Sequence, residues 1–294
     1  MDVTAPPPAP AASRTSPADA RSPAVVIRPL ACLADYRACV TLQREIWGDA
    51  FEVVPAAILQ VSTHVGGLAA GAFHPNGQLI GFVFGLSGFE GGKALHWSHV
   101  LGVRPGLRNE GIGRRLKEYQ RQELARRHIG EMYWTYDPLI AKNAHFNLNV
   151  LGVRVVRYAP DMYGETGSPL HHGLATDRLV VVYDTARPPR DASWTLDAEE
   201  AQAPVLTLDP RPGDTVPSPG GSLAPRLRIE IPSDFAQLLT DTPADARRWH
   251  LATREHFQWA LDRDYEVTGF RRDPVTARSF YMLDQRHRTA PPAT

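Results

Sequence analysis

The chain has 294 residues, 43% of them apolar and 22% charged, which suits a globular protein with one good core, or one domain and a smaller companion. Lys plus Arg equals Asp plus Glu at 32 each, so the basic excess of a general nucleic-acid binder is missing, although a local basic site stays open. No apolar run approaches the length of a membrane span, and the two cysteines, Cys32 and Cys39, form no disulfide framework; they read as sharing one helix face in a reducing cytoplasm.

Residues 1–22 are rich in Ala and Pro, lack the basic start and apolar stretch of a signal peptide, and read as a disordered tail. Val25 to Arg28 is a short strand. A helix follows over Ala34 to Trp47, with Tyr36, Cys39, Val40, Ile46 and Trp47 on one face, and Pro55 to His64 reads as a second. Gly66 to Phe73 and Gln78 to Leu86 form a hairpin turned by Asn76-Gly77, two residues that tolerate positive φ. Leu95 to Val103 is a strand, Gly111 to His128 a helix with Ile112, Leu116, Tyr119 and Leu124 as its buried stripe, and Glu131 to Tyr136 a strand stopped at Asp137-Pro138. Asn143 to Leu151 is a short helix closed by Gly152, and Val153 to Tyr158 and Arg178 to Asp184 are closing strands. Residues 187–225, dense in Pro and Gly, read as a linker. Order returns at Leu227 to Ile231. A helix from Thr242-Pro243 carries Ala246, Trp249, Thr253, Phe257 and Ala260 on one face, followed by strands at Tyr265 to Phe270 and Ser279 to Leu283. This divides the chain into a tail, a domain over 23–186, a linker over 187–225 and a small α+β extension over 226–294.

The chemistry gathers at Arg108-x-x-Gly111-x-Gly113, between a strand and a helix. Glycines let backbone amides approach an anion, and a helix start adds free N–H donors and partial positive charge. Arg108, Arg114 and Arg115 add formal charge. The pattern is neither the full dinucleotide fingerprint nor a P-loop, and two glycines alone also describe an ordinary strand–helix turn.

The run from Val100 to Leu116, with Val103-Arg104-Pro105 followed by Arg108-x-x-Gly111-x-Gly113, resembles the central motif of the GNAT acyltransferase superfamily, and Asn143 to Val153 resembles that family's next helix and strand. The resemblance covers about residues 24 to 186. It implies an α/β (α+β) fold with a mixed, mostly antiparallel central sheet flanked by helices, here with the small C-terminal extension. A narrower resemblance, through His96-Trp97-Ser98-His99, Trp134 to Leu139, Asn143 to Asn147, Tyr163-Gly164, Thr176 to Leu179, Trp249, Arg254 and Phe257, is to a poorly characterised branch with such an extension. Some members of that branch are associated with N-succinylamino acid metabolism, so a succinyl donor and an amino-acid acceptor join the expectations.

What the resemblance implies is an N-acyltransferase that uses acetyl-CoA or another acyl-CoA as co-substrate and no metal. The amide of Leu101 would polarise the thioester and Val103 would bind pantetheine. Arg108, Asn109, Gly111, Ile112, Gly113 and Arg114 would hold the diphosphate around the helix start, and Asn143 would touch the cofactor arm. His99, four residues before Val103, matches a base position in some members; on strict alternation it shares a face with Trp97, Leu101 and Val103 while His96 and Ser98 take the other. Its plainer reading is a satisfied sheet histidine. His96 and His145 are weaker base candidates. Where many members have a tyrosine acid this chain has Leu148, which leaves Tyr158, Tyr163 and Tyr136 as substitutes, each also readable as core packing. Asp177 and Arg178 read as a structural pair, and Arg254 as a residue docking the extension. The partners implied are a small-molecule amine and a second copy in a homodimer, with no nucleic acid and no membrane; the extension could close over the acceptor site, extend the sheet or mediate a dimer, and the apolar area of its Trp249, Phe257 and Trp259 favours docking onto the catalytic domain or a partner subunit. A protein or peptide acetyltransferase and a non-catalytic acyl-CoA-binding regulator are the alternatives.

Overall fold

Among the described residues, seven strands pair into one sheet and four more into a second. The computed structural model describes residues 25–164, 173–189, 202–217, 223–273 and 275–286, so the expected N-terminal tail lies outside the described residues. In the first sheet β1 (Val26–Pro29), β2 (Leu68–Phe73), β3 (Leu79–Glu90) and β4 (Lys93–Val103) run antiparallel as neighbours. β5 (Glu131–Tyr136) then lies parallel to β4, and β7 (Arg178–Asp184) and β6 (Arg154–Ala159) close the far edge. A parallel neighbour needs a long return crossing, which α3 (Ile112–Arg126) supplies. This is the mixed, mostly antiparallel sheet flanked by helices that the resemblance implied.

Each face of the sheet is covered by an amphipathic helix. α1 (Leu33–Trp47) and α2 (Ala56–His64) place Tyr36, Cys39, Leu42 and Leu59 against Phe82 and Phe84 on one face. On the other, α3 places Ile112 and Leu116 against Leu68, Ala70, Ala72, Ile80 and Val83. Gly102 permits the close approach of α1, since a Cβ there would lie 2.8 Å from Ile46 and 2.9 Å from Trp47. The two cysteines do not share a face. Cys32 precedes the helix in extended backbone and is exposed, while Cys39 is buried, with burial pushing its thiol up to about 12.

α4 opens as a single turn, Ala141–Ala144, and continues π-helical over His145–Leu151 before Gly152 ends it with φ 74°. The irregularity has a side-chain cause. Asn147 donates its Nδ2 to the carbonyl of Asn143 (2.8 Å), the acceptor its own backbone N–H would take in an α-helix. Its Oδ1 accepts from Trp134 Nε1 (2.8 Å), which ties α4 to β5.

The Pro/Gly-rich stretch after 186 is more structured than its composition suggests. Val205–Leu206 form β8, parallel to β9 (Arg226–Ile231), and Val205 is fully buried. Arg278 binds both Asp214 and Glu230, adding charge to the apolar contact that Val205 makes with Phe280 and Met282. α5 (Phe235–Asp241) and α6 (Pro243–Leu261) lead into β10 (Tyr265–Arg272) and β11 (Ser279–Gln285). Pro243 occupies the first turn of α6 as expected, but Thr242 makes no side-chain cap; α5 is capped by Asp234, which accepts from the Gln237 N–H (3.0 Å). Apart from a small cluster of its own, Val205 with Phe280 and Met282, the second sheet shares its core with the first. Leu227, Ile229, Phe257, Phe270 and Tyr281 belong to the same buried cluster as Trp134, Tyr136, Leu148 and Val181 of the first.

Candidate functional site

β4 and β5 are paired at His96↔Met132 and Trp97↔Tyr133 and nowhere further along. Among the described residues no strand pairs with the β5-side edge of β4 from Ser98 to Val103, so the two strands open into a V. A cleft of about 460 Å3 occupies this opening, lined on one wall by His99, Val100 and Leu101 and on the other by Thr135, Tyr136 and Asp137. That volume is of the size that holds a small molecule. A larger cleft of about 590 Å3 lies at the opposite end of β5, around Glu131, Arg154 and Asp184, away from these residues.

At the mouth of the V stands the start of α3. Gly111, the residue before the helix, has φ 76° and no side chain to cap with, so the first amides, those of Ile112, Gly113 and Arg114, are free of intrahelical partners. Asn109 also takes a positive φ, 70°, which asparagine tolerates better than most residues. A Cβ on Gly111 would meet nothing within 4 Å, and one on Gly113 would lie 3.7 Å from Leu101 and 3.8 Å from Phe146. The helix start therefore abuts the same Leu101 that lines the cleft. Arg108 and Arg114 are exposed beside it, whereas Arg115 is turned away and donates to the Val25 carbonyl at 2.6 Å. The side chains of Ile112, Leu101 and Val103 pack in the α3 core cluster, so what these residues can offer a ligand is backbone. A diphosphate fits this arrangement: orphan amides, a positive helix end, two exposed guanidinium groups, that of Arg108 with its Nε 3.4 Å from the Val103 carbonyl, and open space over Gly111.

His99 lines the cleft, but not on the face that strict alternation predicts. Val100 is registered with Phe84 and Ser98 with Gly85, which leaves His99 as the extra residue of a β-bulge. The imidazole meets the Phe84 ring edge-on at 6.1 Å, on the α1 side, while Leu101 and Val103 face α3. More than a third of His99 remains accessible, yet the surrounding protein displaces enough water to lower its pKa below the ordinary histidine value, so it is neutral at pH 7 and able to take a proton.

His96 is not a base. It is fully buried over Gly85, with Nδ1 at 2.9 Å from Ser87 Oγ and Nε2 at 3.0 Å from Gln120 Nε2. Burial, helped by the charges of Lys117 and Arg127, pushes it down to about 3. His145 is held at 3.2 Å from Asn149 Nδ2 and does not line the cleft. Asn143 does line it.

The tyrosine candidates separate in the same way. Tyr158 is not brought to the cleft. Its hydroxyl donates to Asp177 Oδ2 at 2.7 Å and its ring stacks on Phe257 at 5.5 Å; burial and this carboxylate raise its pKa far out of the useful range. Tyr136 reaches the cleft wall, but burial raises its phenol and the hydroxyl lies against Tyr281. Tyr163 is 45% exposed, with its hydroxyl 3.0 Å from Oγ1 of the cleft residue Thr135. Leu148, at the position where the resemblance places a tyrosine, is a core residue. Asp177 pairs with Arg254 and not with the side chain of Arg178. Arg254 holds the carboxylate through Nε (2.8 Å) and Nη2 (2.6 Å), while Arg178 donates to the Asp177 carbonyl and lies 3.7 Å from Asp137.

Several cleft residues were not singled out for this role by the sequence. Trp47 and Phe51, stacked at 4.8 Å, close one end, and Phe235, Ala236, Leu239 and His250 close the other from α5 and α6. The apolar content of the C-terminal helices signals burial, but nothing in their spacing says which wall they cover.

Among the described residues no His, Cys, Asp or Glu group is arranged to hold a metal, and no helix is long and apolar enough to cross a membrane. No protein-family model matches the sequence and no curated protein matches it. Among solved structures the chain is similar to the ribosomal-protein-S18-alanine N-acetyltransferase from Escherichia coli, with 15% identity over 59% of this chain and 100% of that one and a TM-score of 0.45. It is also similar to an aminoglycoside 6'-N-acetyltransferase complexed with coenzyme A, with 17% identity over 56% and 99% of the two chains and a TM-score of 0.42. A third is a ribosomal-protein-alanine N-acetyltransferase from Brucella melitensis, with 18% identity over 54% and 99% and a TM-score of 0.44.

Proposed function

We propose that the protein is an N-acyltransferase that moves an acyl group from acyl-CoA to the primary amine of a small molecule. The observation that carries this reading is the continuity of three features: orphan amides at the start of α3, the opening between β4 and β5, and the His99 imidazole inside that opening. Acyl-CoA supplies an activated thioester carbonyl. The amides of Ile112, Gly113 and Arg114, with Arg108, hold its diphosphate, and the unpaired edge of β4 around Leu101 and Val103 receives the pantetheine arm. His99 takes the proton that the attacking amine must lose. As the new C–N bond forms and the C–S bond breaks, Tyr163, at the rim through Thr135, is the hydroxyl we assign to return a proton to the departing thiolate. A thiol is acidic enough that this last contribution is small.

Acetyl-CoA binding by calorimetry and CoA release over a panel of amines test the reading together. The His99→Ala variant is expected to lose about 100- to 10,000-fold in kcat, the ordinary worth of a general base, with acetyl-CoA affinity within about twofold of wild type. Turnover unchanged in His99→Ala would remove the imidazole from the mechanism, and no acetyl-CoA binding in the wild-type protein would end the reading.

A further inference from the structure

The lining of the cleft is mixed in chemistry. Trp47 and Phe51 form a half-buried stacked pair on one side, and Phe235 and Leu239 of α5 present apolar groups from the other. Several of the polar groups of the lining are engaged by the protein itself. His250 Nε2 lies 3.0 Å from the Ala175 carbonyl, and Arg178 donates to the Asp177 carbonyl with the Asp137 carboxylate 3.7 Å away, so its charge already has a partner. A hydroxyl-rich or multiply charged acceptor would lose water here and find few free partners. A flat apolar body would gain by displacing water from both aromatic rings.

From this we infer that the C-terminal segment builds the acceptor pocket, and that the acceptor is a primary amine carried on an aromatic body. The inference rests on the N-acyltransferase reading for the direction in which the amine points, toward His99, but not for the pocket itself. Ala236 is the position that tests it. It is exposed on α5, lines the cleft and belongs to no core cluster, so a larger side chain there fills the pocket without disturbing packing.

Two readouts on the full chain, with acetyl-CoA as donor, separate the inference from the function it builds on. Binding of 2-phenylethylamine followed through tryptophan fluorescence reports the pocket without turnover; CoA release reports transfer. Wild-type kcat/KM for 2-phenylethylamine is expected to exceed that for ethanolamine by about 30-fold or more, the worth of burying one phenyl group. Ala236→Phe should lower both the affinity and kcat/KM for 2-phenylethylamine by about tenfold or more, leaving acetyl-CoA affinity within about threefold. If 2-phenylethylamine binds and Ala236→Phe abolishes binding while no amine releases CoA, the pocket stands and the transferase reading falls. If CoA is released with ethanolamine or a peptide amine in preference to 2-phenylethylamine, or Ala236→Phe leaves the aromatic amine unaffected, the inference is overturned and the transferase reading survives.

Discussion

His99 owes its position to one extra residue in β4. The bulge turns its imidazole from the α3 face to the side where Phe84 and the cleft meet, and partial burial there lowers its pKa. The sign follows directly. A base with a lowered pKa is already deprotonated at neutral pH, so kcat/KM measured from pH 4 to 8 should rise through a limb below the ordinary histidine value of about 6.5 and then level off. His99→Gln should remove that limb, and a profile of the same shape in the variant would assign it elsewhere. Lys117 presents a second residue-scale case. It is 4% exposed, donates to Ser98 Oγ at 2.7 Å and lies 3.7 Å over the Trp134 ring, where burial pushes it down to about 7. The unfolded chain holds that proton to about pH 10.4, so this lysine costs stability in full below pH 7 and progressively less as pH rises toward 10. Lys117→Met is therefore expected to raise the melting temperature, by an amount of order 1–4 kcal/mol in stability at pH 6 and visibly less at pH 9. An equal gain at both values would show that the native lysine does not titrate in this window.

At the scale of elements, the contact between β7 and α6 is fixed by one buried carboxylate. Asp177 is 2% exposed on its side chain and accepts from Arg254, from Tyr158 and from the Asp161 N–H. Burial alone would raise its pKa; the hydrogen bonds from Arg254 and Tyr158 outweigh that and hold it below the usual aspartate range. Arg254→Met strands the charge and should cost about 3–5 kcal/mol at pH 7, and adding Asp177→Asn should restore part of it. Because the aspartate is held low, its contribution is present above about pH 3.9 and fades as pH falls below it. A melting temperature unchanged at pH 7 in Arg254→Met would show that the pair contributes nothing net. How much of this was legible in the sequence follows from range. The strands and helices of the first sheet and the stop at Gly152 depend on neighbours a few residues away and are legible in the sequence, whereas Gly111, read as the first residue of the helix, stands before it with a positive φ. Strict alternation failed at His99 because a bulge is chosen by the partner strand. Asp177 was matched to Arg178, its neighbour in sequence, because Arg254 lies 77 residues away. β8 was hidden because Val205-Leu206 is short and surrounded by proline and glycine, and its strand status comes from β9. That the C-terminal extension could close over an acceptor site is legible, but not which of its residues line the cleft, because Trp47 and Leu239 come to it only after both sheets have packed.

For the whole molecule, the decisive fact is that one buried cluster runs through both sheets. Tyr281 of β11 is fully buried, with its ring edge-on to Phe257 at 4.9 Å and to Phe270 at 5.2 Å, and its hydroxyl donates to the Pro138 carbonyl at 2.7 Å, just past the end of β5. Asn149 of α4 closes a second link, accepting from the Phe270 N–H at 3.0 Å and donating to its carbonyl at 2.6 Å. Neither sheet can lose its partner without exposing apolar surface and stranding polar backbone, so the two should unfold together. Thermal denaturation followed by far-ultraviolet dichroism, and by tryptophan fluorescence that samples Trp47 and Trp134 on one side and Trp249 and Trp259 on the other, should therefore give one coincident transition. Tyr281→Phe keeps the ring and leaves the Pro138 carbonyl short of a donor, so it should cost about 1–3 kcal/mol and shift the common midpoint by a few degrees. Two separated transitions, or a midpoint that moves for one probe and not the other, would mean that the C-terminal sheet folds independently, and a cleft wall made from α5 would then be free to leave the acceptor without unfolding the sheet that carries His99.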